Sequence, residues 1–203
     1  MDFCTAGGAM GETFTVSTIS RFPREVMRFP EIAPPAFPAP RVLVRDFALV
    51  DEEYAELSRA AAARDVVELA DAISDLIVVT NQLAYDAGVA IDLAIEDYPA
   101  RPLLDDAALH EELSAVVARI AEMKAARDIA ALSRAILQAI GRTVDFARAL
   151  GLPLASILHV VHANNLAKAK GGFFDEAGKF CKPPGHPKPD IPGVLARFGR
   201  FPG

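Results

Sequence analysis

Between Val42 and about Lys170 the apolar residues recur at steps of three and four, the period of a helix with one buried stripe. "DFALVDEEYAELSRAAAA" sets Phe47, Val50, Tyr54, Leu57 and Ala61 on such a stripe. Asp65 is a suitable N-cap for a second helix running to Ala87, and Gly88 stops it. Asp105 or Asp106 caps a third helix reaching about Arg127. Asp128 opens a fourth that Gly151 ends, and Pro153 falls in the first turn of a fifth, "LPLASILHVVHANNLAKAK". "DLIVVT" is β-branched, but the alanines, leucines and acids around it favour helix over strand. The pattern predicts an all-α helical bundle.

The ends of the chain break this pattern. Residues 1–20 are small and polar and predict a loose tail. "RFPEIAPPAFPAPR" holds five prolines between Arg28 and Arg41, which excludes helix and predicts an extended strap. From Gly171 onward glycine, proline and lysine return with few apolar anchors. The chain therefore divides into a tail and strap (1–41), a bundle (42–170) and a second tail (171–203). A weak repeat divides the bundle again, into halves 42–98 and 103–170. "LAYDAGVAID" and "FARALGLPLA" each close a long helix at glycine, and each long helix follows one carrying Glu-Glu, Glu52-Glu53 and Glu111-Glu112. Two degenerate helix pairs of this kind are expected to pack face to face as a fused pseudo-dimer.

Composition narrows the choice of partners. With 203 residues, 52% of them apolar, the chain fills a sizeable core. A net charge of −6 argues against a nucleic-acid polymer as partner, because phosphate backbones need a basic face. Cys4 and Cys181 lack any Cys-x-x-Cys partner and read as free thiols of a reducing compartment. The N-terminus has no basic, then apolar signal pattern, and the apolar run of the fifth helix is interrupted by histidine and asparagine well short of a bilayer span. The expectation is a soluble cytoplasmic protein with no membrane partner.

The acids need more explanation. In "VVELADAISD", Glu68, Asp71 and Asp75 stand at i, i+3 and i+7 among apolar residues, so one helix face carries all three. Glu52, Glu53 and Glu56 cluster likewise on the preceding helix. A short turn near Ala63–Arg64 would fold the two helices antiparallel and set the acid groups against each other. Carboxylates so gathered repel by several kcal/mol in sum unless cations offset them. Hard oxygen donors select Mg²⁺, or Mn²⁺, over zinc. The plainer alternative is two solvated acidic faces with Arg59 and Arg64 as partners. His159 and His162, one turn apart, lack a third ligand nearby and read as packed side chains rather than metal ligands.

In order, "DEEYAEL", "ELADAISDLIVVTNQLAYDAGVAID" and "VHANNLAKAKGG", with the lysine- and proline-rich "AGKFCKPPGHPKPDI", resemble the all-α nucleotide pyrophosphohydrolases. That superfamily includes MazG-like enzymes, dimeric dUTPases and phosphoribosyl-ATP pyrophosphohydrolases. The resemblance implies Mg²⁺-dependent hydrolysis of a nucleoside triphosphate to the monophosphate and pyrophosphate. Glu53, Glu56, Glu68, Asp71 and Asp75 would be the metal ligands, and Glu52 or Glu53 the base. Asn165, Lys168, Lys179 and Lys182 would bind substrate. In the family's register Asp75 matches the Asp of Glu-x-x-Asp while Ala72 stands where the Glu belongs. Either Asp71 takes its place or the site shifts by a turn toward Glu68. The second half carries Arg134 and Gln138 where the first has Asp71 and Asp75, so one composite site per chain is expected, with further homo-oligomerisation open. Lys179, Lys182 and Lys188 read either as a lid over the phosphates or as a solvated tail. Two other functions fit these residues: hydrolysis of a phosphoribosyl nucleotide or nucleotide sugar, and an inactive helical binding module.

Overall fold

A computed structural model describes residues 13–176 and 178–199. Its frame is five long helices: α1 (Pro40–Ala63), α2 (Val66–Asp86), α3 (Asp106–Ala125), α4 (Ile129–Leu150) and α5 (Leu154–Ala167). The all-α bundle expected from the periodicity is the observed architecture. Helices α1 and α2 form one antiparallel hairpin, α3 and α4 a second, and α2 packs on α4 between them. "DLIVVT" is helical, and Leu76 and Ile77 within it are buried.

The helix ends follow the caps. Asp65 accepts from the backbone N–H groups of Val67 and Glu68, Asp105 from Ala108 and Asp128 from Ala131. Arg64, at φ 56°, makes the tight left-handed turn between α1 and α2. The N-terminus of α5 is satisfied from a distance: Asp97 accepts from Ser156 N at 2.8 Å and Ser156 Oγ at 2.7 Å. Gly88 requires glycine twice over, with φ of 68° and a Cβ that would collide with the carbonyl of Ile32 in the strap.

Three expectations about the ends need correction. Residues 13–20 are not loose: Thr13–Thr15 form strand β1, paired antiparallel with β2 (Ala94–Glu96), and Val16–Ser20 form a 3₁₀ turn. Phe14, Val16 and Ile19 are buried there, three apolar residues that polar neighbours obscured. The last proline of the strap does not exclude helix, because Pro40 occupies the first turn of α1, where no amide partner is required. The C-terminal segment is anchored as well. A short hairpin, β3 (Phe173–Phe174) with β4 (Phe180–Cys181), leads to helix α6 (Ile191–Arg197), which buries Ile191, Val194 and Leu195 against α2 and α5. Cys181 is a free thiol, and Cys4 lies outside the described residues. Among the described residues no helix is long and apolar enough to cross a membrane.

Leu195→Ala is therefore expected to cost about 2–4 kcal/mol in urea unfolding, the loss typical of a buried leucine. A cost near zero would mean that α6 is not part of the folded core.

Candidate active site

The turn at Arg64 brings the acid-bearing faces of α1 and α2 together at the surface between the bundle and the C-terminal segment. Glu53 and Asp75 line a common cavity of about 130 Å³ with Asn165, Lys168 and Lys179. A smaller cavity of about 80 Å³ adjoins it through Asp75, Asn165 and Lys168, and adds Asp71 and Lys182. Acids from the first hairpin, amide and amine groups from α5, and lysines from the C-terminal segment thus meet at one place. Glu68 stands apart, paired with Lys188 at 3.5 Å, and Glu52 is held by Lys179 at 2.6 Å. Glu56 borders a separate shallow cavity with Glu68 and Arg59.

Electrostatics tie the acids together more firmly than the cavities do. Burial pushes the Glu53 carboxyl up to about 8, and the charges of Asp75, Glu56 and Glu52 add to the push. Burial pushes Asp75 up to about 7, with Asp71 and Glu56 raising it further and Lys168 and Lys182 opposing. Asp71 is raised by burial, against the pull of Lys188. Lys168 is lowered by its own burial, although Asp75, Glu53 and Asp71 all favour its charged form. Burial thus favours the neutral form of each of these acids, and the lysines around them only partly oppose it.

Among the described residues no three His, Cys, Asp or Glu side chains stand gathered to hold an ion. Glu52 and Glu68 are each engaged by a lysine, Lys179 and Lys188. Glu53, Asp71 and Asp75, with Glu56 nearby, are raised in proton affinity first by burial and then by neighbouring acids; as oxygen donors they are of the kind a hard divalent cation takes, and they would have to draw together to share one.

The corresponding face of the second hairpin is different. Glu112, half-buried, is neutralised by Arg142 at 2.5 Å, while Arg134 and Gln138 are exposed. His162 is buried against the edge of Phe14 and held toward its neutral form by that burial, as a packed histidine should be. Asn164 Nδ2 donates to the carbonyl of Pro187 at 2.9 Å and fastens the C-terminal segment to α5.

Several residues of this region escaped the sequence reading. Phe22, Met27 and Phe180 wall the main cavity, and Gln82 and Arg45 close one end of it. Gln82 donates to Asp86 at 2.8 Å, and Arg45 bridges Asp86 and the fully buried Asp46. Spacing held a usable signal: Arg45 is two helical turns before Glu53, and Gln82 two turns after Asp75, so each continues an acid face.

Residues 24–100 match the family model of phosphoribosyl-ATP pyrophosphohydrolase. This family is a member of the all-α NTP pyrophosphohydrolase superfamily, so the resemblance read from the motifs is borne out over that stretch. So is the class of enzyme it implies, a hydrolase acting on phosphoanhydride bonds; the family is generally dependent on a divalent metal. The match spans α1 and α2 with all the acids and ends before the second hairpin. No curated protein and no solved structure matches the chain significantly.

The raised Glu53 carboxyl has a measurable consequence. The folded state retains a proton that the unfolded chain has released between the ordinary carboxylate value and about 8, so stability falls as pH rises through that window. Glu53→Gln removes this slope. Without metal, the variant is expected to match wild type near pH 4 and to be more stable by about 1–3 kcal/mol at pH 9, allowing for partial solvent screening. Parallel urea-stability profiles for the two proteins would refute the crowding of Glu53.

Proposed function

We propose that the chain is a Mg²⁺-dependent nucleoside triphosphate pyrophosphohydrolase that releases the monophosphate and pyrophosphate. The observation that carries this reading is the shared cavity in which Glu53 and Asp75 face Asn165, Lys168 and Lys179. Two acids alone suit many solvated surfaces. Acids crowded beside buried and half-buried amines suit a polyphosphate bound through cations.

In this reading Glu53, Glu56, Asp71 and Asp75 would hold Mg²⁺, or Mn²⁺, with Glu68 at the margin. Bound there, the ion would neutralise phosphate charge and make a water more acidic. Asp71 supplies the carboxylate that Ala72 cannot. Glu53, in the ionised form that bound cations would favour, takes the proton of the attacking water as the bond between the α- and β-phosphates breaks. Glu52 is the weaker candidate because Lys179 already engages it. Lys168 meets the phosphate chain as a point cation from within the cavity, and Lys179 and Lys182 meet it from the C-terminal segment. Asn165, buried at the cavity wall, donates to sugar or phosphate oxygen.

A second reading draws on the family match: the substrate is a phosphoribosyl nucleotide, cleaved at the same anhydride by the same acids. A pyrophosphate-release screen over all NTPs, dNTPs and a phosphoribosyl nucleotide, with Mg²⁺ or Mn²⁺, separates the two. Glu53→Gln and Asp75→Asn are each expected to lower kcat at least about 100-fold with the fold retained. Lys168→Ala is expected to act mainly on KM. Near-normal turnover in both acid variants would sink the assignment.

A further inference from the structure

The largest cavity among those described lies beside the acid site. It measures about 730 Å³ and is roofed by the proline strap and the C-terminal hairpin. The helical core contributes Arg45 and Asp86 to its lining, and Arg45 also lines the smaller acid-bearing cavity. The two spaces are therefore neighbours sharing one side chain.

We propose that this strap cavity receives the nucleoside end of the substrate, with Phe37 and Phe174 as stacking surfaces and Arg45 and Asp86 as the groups that read the base edge. The inference rests on the pyrophosphohydrolase reading for the phosphate end and adds the nucleoside end to it. Three observations support it.

Size comes first. At about 130 and 80 Å³, the two cavities that join the acids to Asn165 and Lys168 have no room for a base and a sugar besides the phosphates, whereas about 730 Å³ lies within the usual range for a small-molecule site.

Surface chemistry comes second. Phe37 and Phe174 are 40% and 45% exposed, and both line this cavity. Exposed aromatic faces gathered in one concavity suit a flat ring, and base-to-aromatic stacking is worth ~1–3 kcal/mol per base. The walls are fixed rather than loose. Phe29 stacks on Phe174 at 5.9 Å, Phe174 meets Phe180 at 5.1 Å, and Phe180 meets Phe22 at 5.6 Å. This ladder of rings joins strap to hairpin.

Polarity comes third. Arg45 is donor-only and Asp86 acceptor-only, and they sit side by side. Asp46 and Gln82 brace them from beneath: Arg45 Nε donates to Asp46 at 2.8 Å, and Gln82 Nε2 to Asp86 at 2.8 Å. A donor next to an acceptor, held rigidly at the floor of an apolar pocket, matches a nucleobase edge.

Calorimetric titration of the metal-free full chain with adenosine, guanosine, cytidine and uridine reads this cavity without phosphate, metal or turnover. At least one nucleoside is expected to bind. Phe37→Ala and Phe174→Ala should each weaken that binding about tenfold, and Asp86→Asn should reorder the four affinities. Both aromatic residues are exposed enough that truncation spares the core, and an unchanged urea midpoint verifies this. If no nucleoside binds at millimolar concentration, the proposal is overturned. It is equally overturned if Phe22→Ala, in the neighbouring cavity, abolishes binding while Phe37→Ala and Phe174→Ala leave it intact. Failure of every nucleotide to release pyrophosphate would overturn the hydrolase reading alone, and the nucleoside titration would still decide this one.

Discussion

The rest of the structure is arranged around a cluster of like charges that the fold refuses to separate. Glu53 and Asp75 lie on the paired faces of α1 and α2, and each raises the other's proton affinity or is raised by the same neighbours. A chain under selection for stability alone would replace such carboxylates with apolar residues of similar volume. Here they are kept, and the molecule surrounds them with compensating groups. Lys168 comes from the C-terminal cap of α5, while Lys179, Lys182 and Lys188 come from the segment that follows it. That compensation is partial, so each acid keeps a raised proton affinity.

This requirement accounts for the course of the chain ends. The C-terminal segment delivers its lysines because α6 is sunk between α2 and α5 and Asn164 ties down Pro187. The N-terminal segment is fixed by β1 pairing with β2, by Tyr85 donating to the carbonyl of Phe29 at 2.9 Å, and by Ala36 N donating to Ala87 O at 3.0 Å. Strap and hairpin meet through aromatic rings over the first hairpin. The second hairpin supports α2 from behind but lacks the charge pattern. Its Glu112 is closed off by Arg142, so the repeat supplies a scaffold rather than a second acid wall.

The helical frame was legible because its signals are local. Caps at Asp65, Asp105 and Asp128, glycines at the ends of α2 and α4, and a three-to-four apolar period each act within a turn or two. The acid faces were legible for the same reason, since i, i+3 and i+7 spacing fixes their direction. What escaped depends on distant pairing. Phe14 and Val16 are core residues only because β2 lies opposite them, some eighty residues along the chain. Asp97 caps α5 from fifty-nine residues away. The C-terminal segment looked unanchored because Ile191, Val194 and Leu195 are scattered among prolines and glycines, and only the groove between α2 and α5 makes them a core. The strap cavity could not be foreseen at all, because its walls come from both ends of the chain.

If the acids of the first hairpin and the amide and amine groups at the end of α5 make a single metal-dependent nucleotide site, titration of the full chain with a non-hydrolysable nucleoside triphosphate, with and without Mg²⁺, will show it. One nucleotide should bind per chain, with affinity that depends on Mg²⁺ and is lost in Glu53→Gln. Two equivalent sites per chain, or binding that is indifferent to both the ion and Glu53, would contradict it.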